Sequence, residues 1–597
     1  MTIILFLIVR FSPGGVPMKR SLVLTITAAL LASCQKPATI DGADLILTNA
    51  RVYSLNWSDP DTQGMPAPDA PFIDGTWTPD ASAIAIRDGL IVALGSDSDL
   101  VSFASESTEV IDLNGATLLP GFVESHGHYP ELGEIAERID LDGVTTMDEM
   151  AARIAARIET TPAGEWVVGA GWDEGAWADA LPTKDAIDAI SPDHPVVLKG
   201  RRGFGTLVNQ NVLNIVGINS DFSGSYGGDI VTHDNSEPTG VFLNRAQTLI
   251  TDAMPAATLK QKKRIVLAGL NEIAAAGYVS GHHAGVYANY YPAYAALANE
   301  GSLPIRVEAM LAARPENIDL MQTWIARGPT RDPAEMFQVR GVKAYYDASL
   351  GSRGAKLIEE YADMPGHSGI SGSEYGFPED VVTAAIGAGF QVSVHAIGDA
   401  GNREVLNFYE RVAADNPNST ALLHRIEHAQ IVHPEDFARF GQLNIVASME
   451  PCHAVEDSPW AEDRVGPERI KGGYAWRTLR RNGARLIFNS DLSGTDFNIF
   501  YGLHCAVTRS DRTGQPAEGW YINEAVSIEE AVRAWTSWPA EASQRAAITG
   551  TLAVGKIADI TVLSIDVFNA GQSDPHRLMD GQALMTIVGG KIVVNNL

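Results

Sequence analysis

The sequence predicts an α/β protein: a parallel (β/α) barrel with a small β-sandwich beside it, built from both chain ends. Two observations carry that expectation. Four apolar, strand-like runs each close on a polar residue, Val339 to Lys343, Gln391 to His395, Leu422 to His428 and Arg485 to Asp491, with helical stretches between them. Polar side chains at the C-terminal ends of successive strands are how a parallel barrel arranges its chemistry. The second observation is a pair of matching hairpins. Ala83 to Arg87 turns through Asp88-Gly89 into Leu90 to Leu94, and Ala583 to Val588 turns through Gly589-Gly590 into Lys591 to Val594. Such dipeptides make tight two-residue turns.

Residues 1–34 read as an address. Met18-Lys19-Arg20 is a basic start, Leu22 to Leu31 an apolar run, and Ala32-Ser33-Cys34 a small-residue end. That order is a secretory signal, and it resembles a bacterial lipoprotein signal in which Cys34 is lipidated. The expectation is an exported, periplasmic-side lipoprotein anchored to the membrane only through that lipid. Met1 to Pro17 reads as an upstream extension. A plain spanning anchor is the rival, but the apolar run is too short to favour it.

Residues 35–118 form the first part of the sandwich. They open on a polar tether, Gln35-Lys36-Pro37, and continue with strand-like Leu45-Ile46-Leu47 and Arg51-Val52-Tyr53. Residues 119–548 are the barrel. A stretch near 130–245 is too long for one βα unit, and an insertion after the first strand is expected to cap the catalytic face and shape the pocket. It holds Trp166 to Glu174 and Pro195 to Lys199, whose aromatic residues serve either the pocket or the cap's own core. From Leu259 the chain alternates, with Leu267 to Ala276 helical and Tyr278 to Ser280 and Pro304 to Val307 strand-like. Residues 549–597 complete the sandwich, with Ile560 to Leu563 as a further strand.

Composition narrows the partners. The chain has 597 residues and a formal net charge of −29. So acidic a balance argues against nucleic acid or anionic lipid as the main partner and does not identify a substrate. Three cysteines, Cys34, Cys452 and Cys505, are no disulfide framework. Cys452 and Cys505 read as two ordinary thiols unless the fold brings them together.

The chemistry centres on Leu118 to His128, where an apolar run meets Pro120-Gly121 and delivers His126 and His128. Side chains two apart on a strand share a face, so both imidazoles can reach one ion. Alone, His-x-His is a weak signal. With Lys343, His395, His428 and Asp491 in order, Leu350-Gly351-Ser352-Arg353, Gly398-Asp399-Ala400, and Gly555-Lys556-Ile557-Ala558-Asp559 near the end, the chain resembles the amidohydrolase superfamily. Its amidohydrolase-3 branch is the nearest likeness, over nearly the whole mature length. The resemblance implies a (β/α)8 TIM-like barrel flanked by a β-sandwich. It also implies a metal-dependent hydrolase acting on a non-peptide carbon–nitrogen (amide) bond of a small molecule.

By the same resemblance, His126, His128 and Asp491 hold one metal, His395 and His428 a second, and Lys343 bridges them. Imidazole and carboxylate ligands suit Zn²⁺ and leave Mn²⁺, Fe²⁺ or Ni²⁺ open. An ammonium would repel two dications, so Lys343 bridges only as a carbamate; the plainer alternative is a salt bridge at the barrel mouth. A water between two ions would be acidified towards neutral pH and become the hydroxide nucleophile. Asp491 would take its proton and deliver it to the leaving nitrogen, unless it merely caps the following turn. His453 is either a donor to the carbonyl oxygen or a hydrogen-bonded loop histidine. Arg353 meets either an anionic substrate group or a surface partner.

Two words depart from the family. His282-His283 stands where relatives often carry His-Asp, and Arg202-Gly203-Phe204 where many carry Asp-Gly-His before the Asn209 position. Both are expected on the substrate side, leaving hydrolysis intact. Ester or lactone hydrolysis, and a non-catalytic metal- or solute-binding lipoprotein, are the competing functions. The full ligand set disfavours the latter.

Overall fold

A computed structural model describes residues 42–172, 181–200, 205–222 and 229–597. The address segment with Cys34, the tether, Asp173, Glu174 and Arg202-Gly203-Phe204 lie outside the described residues. Among the described residues no helix is long and apolar enough to cross a membrane.

The centre is a sheet of eight strands. In chain order they are β1 (Phe122–Gly127), β2 (Tyr278–Val286), β3 (Arg306–Ala312), β4 (Phe337–Tyr345), β5 (Gln391–Ala396), β6 (Arg425–His428), β7 (Val446–Met449) and β8 (Arg485–Phe488). Each pairs in parallel with its sequence neighbour. Beyond β8 the chain returns to β1, where Gly127 bridges Leu492 in parallel and the His128 N–H donates to the Leu492 carbonyl at 2.7 Å. The barrel is thus nearly closed, and the closing loop is the one that carries Asp491. Every residue of β2 and β3 is buried, as expected of strands covered on both faces.

Two strands are shorter than the apolar pattern suggests. Leu422 ends a 3₁₀ turn from Pro417 and Leu423 takes a left-handed conformation at φ 55°, so β6 starts only at Arg425. β8 stops at Phe488, and Asp491 stands three residues beyond, also at positive φ.

The helix after His128, Tyr129–Glu137, is held by close backbone contact. It packs on helix Leu259–Ala275, where a Cβ on Gly133 would fall 1.9 Å from the Ile265 carbonyl oxygen and one on Gly269 would fall 2.1 Å from that of Tyr129. Only glycine permits that approach, and it anchors the segment that presents His128.

Between β1 and β2 lies a six-stranded mixed sheet, ordered Ile139–Asp140, Val167–Trp172, Val196–Gly200, Gly205–Val208, Pro238–Leu243, Ile230–Thr232. It has its own core, including Met150, Ile154, Leu198 and Val241. Trp172 is buried there, its indole N–H donating to the Leu198 carbonyl at 2.9 Å. The aromatic residue at this position therefore belongs to the insertion's own core.

Two more sheets flank the barrel. Leu90–Gly95, Ala83–Arg87, Leu45–Thr48 and Glu109–Asp112 form one, entirely from the N-terminal part. The other interleaves the ends: Arg51–Val52, Thr117–Pro120, Ile560–Leu563, Ala583–Val588 and Lys591–Asn595. Leu45, Ile84 and Ile86 of the first share a core with Leu118, Ile560 and Ile587 of the second. Both hairpin turns place their two residues at positive φ (Asp88 52°, Gly89 76°; Gly589 56°, Gly590 75°), the geometry that matches strand twist.

Candidate metal centre

The barrel's carboxyl ends bring His126, His128, Lys343, His395, His428, His453 and Asp491 around one cavity of about 370 Å³. Asp491 Oδ1 lies 3.4 Å from Nε2 of both His126 and His128. Lys343 Nζ is 2.9 Å from His126 Nε2. The rings of His395 and His428 stand 4.5 Å apart, and those of His126 and His428 5.1 Å. Six groups from four strand ends and the closing loop therefore converge.

His126, His428 and the Asp491 loop are held from behind. Glu427 accepts from His126 Nδ1 at 2.6 Å and pairs with Arg425 Nε at 2.7 Å. Arg425 is fully buried and also donates to the Ser125 carbonyl and Ser448 hydroxyl. Glu124 accepts from the backbone N–H and hydroxyl of Ser490, next to Asp491, and from the His126 N–H. Glu450 accepts from His428 Nδ1 at 3.1 Å and lies 3.7 Å from His453 Nδ1. A carboxylate behind a ligand histidine fixes its ring and raises its basicity.

The loop words have structural work of their own. Asp347, beyond β4, accepts the N–H groups of Lys356, Ile397 and Gly398. Asp399 accepts that of Ile358, and the Lys356 carbonyl takes those of Ala400 and Gly401. This lacing ties the loop after Lys343 to the loop after His395. A Cβ at Gly398 would stand 1.9 Å from the Lys356 carbonyl oxygen.

Burial sets the charges. It brings the Lys343 ammonium down to about 8, against the pull of Glu427, Asp491 and Glu450, so a neutral amine is accessible near neutral pH. It also pushes His126 down to about 4, helped by Lys343, and His395 well below the usual range, helped by His428 and Lys343. Burial alone would raise the Asp491 and Glu427 carboxyls. The neighbouring imidazoles hold Asp491 well below the usual range, and Arg425 with His126 does the same for Glu427. His126 and His395 are thus neutral beside ionised Asp491 and Glu427, the protonation states that metal ligands need, whereas Glu450 raises His428 above its ordinary value against the effect of burial and burial lifts Glu124 to about 8.

The donor set fits divalent ions. Ligand atoms of His126, His128 and Asp491 lie within 4.8 Å of one another, as do those of His428, Glu450 and His453. His395 Nε2 and Glu450 Oε1 are buried without a hydrogen-bond partner, and buried polar atoms left this way invite an ion or water.

Several expectations shift. Arg353 does not line the cavity. Its guanidinium binds Asp363 through Nε at 3.2 Å and Nη2 at 2.9 Å, so the ion-pair alternative describes it. His282 and His283 are buried in the barrel wall rather than on the substrate side: His282 Nδ1 meets Arg425 at 3.1 Å and His283 Nδ1 the Tyr294 hydroxyl at 2.8 Å. Asn209 caps helix Gln210–Val216 inside the insertion. None of the described insertion residues lines the cavity. Its walls are instead the loop at Ser349-Leu350-Gly351, helix Pro451–Asp457 with Trp460, and Gly494-Thr495.

The model of the amidohydrolase family matches residues 109–594. A putative amidohydrolase of Bacillus subtilis, YtcJ, is 31% identical over 86% of this chain and 95% of its own. The N-substituted formamide deformylase of Arthrobacter pascens is 25% identical over 85% and 94%. The crystal structure of an uncharacterized metal-dependent hydrolase from Pyrococcus furiosus superposes with a TM-score of 0.67 at 26% identity, covering 88% of this chain and 99% of the other.

Proposed function

The chain belongs to the amidohydrolase family, and from that premise we propose that it hydrolyses a non-peptide, amide-type carbon–nitrogen bond of a small molecule. The observation that carries the reading is the convergence of His126, His128, Lys343, His395, His428 and Asp491 on one cavity. His126, His128 and Asp491 would hold one divalent ion and His395 and His428 another, with Lys343 bridging as a carbamate; zinc suits the set best. Bound there, the ions would supply Lewis acidity, lowering the pKa of water and drawing charge from a carbonyl oxygen.

The residues do the rest. Asp491 stays ionised and 23% exposed at the cavity wall, so it can accept the attacking water's proton and return it to the leaving nitrogen. His453, 24% exposed on its helix, would donate towards the carbonyl oxygen. Glu427 and Glu450 keep His126 and His428 oriented. Glu456 and Asp457 line the cavity while no guanidinium does among the described residues, which favours a neutral substrate over an anionic one. The formamide deformylase relative supports an N-acyl or N-formyl compound. Ester or lactone hydrolysis follows from the same attack and ranks second.

The two flanking sheets are read as the layers of one β-sandwich, and the first 34 residues as a lipoprotein address ending at Cys34. The test of function is a panel of N-formyl and N-acyl amines with matched esters, assayed before and after chelation. Metal-dependent amine release supports the reading, and faster ester turnover throughout would reverse the ranking.

A further inference from the structure

Behind the cavity wall, and outside the ligand set, two sulfurs meet. Cys452 lies on helix Pro451–Asp457, between Glu450 and His453, and Cys505 on helix Ile499–Thr508, beyond the Asp491 loop. Their Sγ atoms are 3.3 Å apart across 53 residues of sequence. Both are buried free thiols, in a small apolar cluster of their own with Val455 and Tyr501 and with the partly exposed Met579 against it. Cys505 is fully buried and Cys452 is 4% exposed. Both thiols are covered in the resting fold, so they react only as that cover opens.

We infer that Cys452 and Cys505 form an oxidisable dithiol site that closes to an intramolecular disulfide by exchange with an organic disulfide. In the first step a Cys452 thiolate attacks R–S–S–R, forming Cys452–S–S–R and releasing RS⁻, which takes the proton the cysteine lost. In the second, Cys505 loses its proton, its sulfur attacks Cys452 and expels the second RSH. The two cysteines are oxidised by two electrons while the organic disulfide is reduced to two thiols. The bond would tie the helix carrying His453, just after Glu450, to the helix that follows Asp491, fixing one wall of the cavity. A cross-link over so long a loop restricts the unfolded chain and so resists unfolding. The inference rests on the sulfur geometry and is independent of the proposed reaction and of the address segment.

The test exposes the purified native enzyme to excess oxidised glutathione, quenches with acid, and maps unreduced peptides by mass spectrometry. The expected result is a chain lighter by two hydrogens, with the Cys452 and Cys505 peptides joined. Dithiothreitol should reverse it, and the oxidised form should have a raised unfolding temperature. Cys505→Ser should instead trap glutathione on Cys452. Glutathione persisting on wild-type Cys452, or two free thiols even after unfolding and refolding in oxidised glutathione, would overturn the inference.

Discussion

Replacing Glu427 with Gln keeps the shape of the side chain and removes one buried negative charge. In the wild type that charge is shared between His126 Nδ1 at 2.6 Å and Arg425 Nε at 2.7 Å, with neither Arg425 nor Glu427 exposed. The remaining partners of Arg425 are neutral: the Ser125 carbonyl, the Ser448 hydroxyl and the His282 ring. Removing one partner of such a pair leaves an uncompensated buried charge, at a cost of about 3–5 kcal/mol of stability. The second effect is on the metal. Loss of the carboxylate behind a ligand histidine lowers metal affinity or activity by about 10–100-fold, or roughly 1.4–2.7 kcal/mol. Chelator competition reads the affinity and thermal unfolding the stability. The double variant Arg425→Gln/Glu427→Gln separates the two, because it should recover much of the stability and none of the affinity. Wild-type metal affinity in Glu427→Gln, or its recovery in the double variant, would refute the orienting role.

Asp491→Asn retains an oxygen ligand and loses the base, so kcat should fall by ~10²–10⁴ with a modest fall in metal content; a metal-replete variant with near wild-type kcat sinks the proton-transfer role. His424, which accepts the Val392 N–H and stacks on Tyr409, is pushed by burial down to about 3. The unfolded chain therefore binds a proton the folded chain refuses between about pH 3 and 6.5, and stability should drop by about 1.4 kcal/mol per pH unit below 6.5. His424→Asn, which keeps an acceptor, should show a shallower acid limb in thermal melts, and an unchanged slope contradicts this. Cys34→Ala should release the protein from membranes, since stable retention needs more than one acyl chain; unaltered fractionation argues against lipidation.

The residues that converge on the cavity were legible because chemistry at strand ends leaves a local signature, an apolar run that closes on a polar side chain. His126-x-His128, Lys343, His395, His428 and Asp491 all show it. The groups behind them were not. Arg425 and Glu427 sit two apart in a strand, hence on one face, but only the closed barrel shows that this face points at His126 across 301 residues. Asp347 reads as an ordinary loop acid until it is seen gathering three N–H groups from two loops. The insertion was legible as an insertion from its length, yet its position over the cavity was an analogy, and the described cavity walls come from elsewhere. Arg353 followed a family word and so attracted a substrate role, while its partner Asp363 lay ten residues on, within reach only once the loop folds. The sulfur contact of Cys452 and Cys505 depends on two helices meeting, which no spacing announces.

The metal content of the active protein bears most directly on the two-ion site. Elemental analysis of the purified, fully active chain should find close to two divalent ions. His126→Ala and His128→Ala should each lower that content in step with the rate, and restoring the metal to chelated wild type should restore it. One ion or none in a fully active preparation, or undiminished metal in both histidine variants, would contradict the site described.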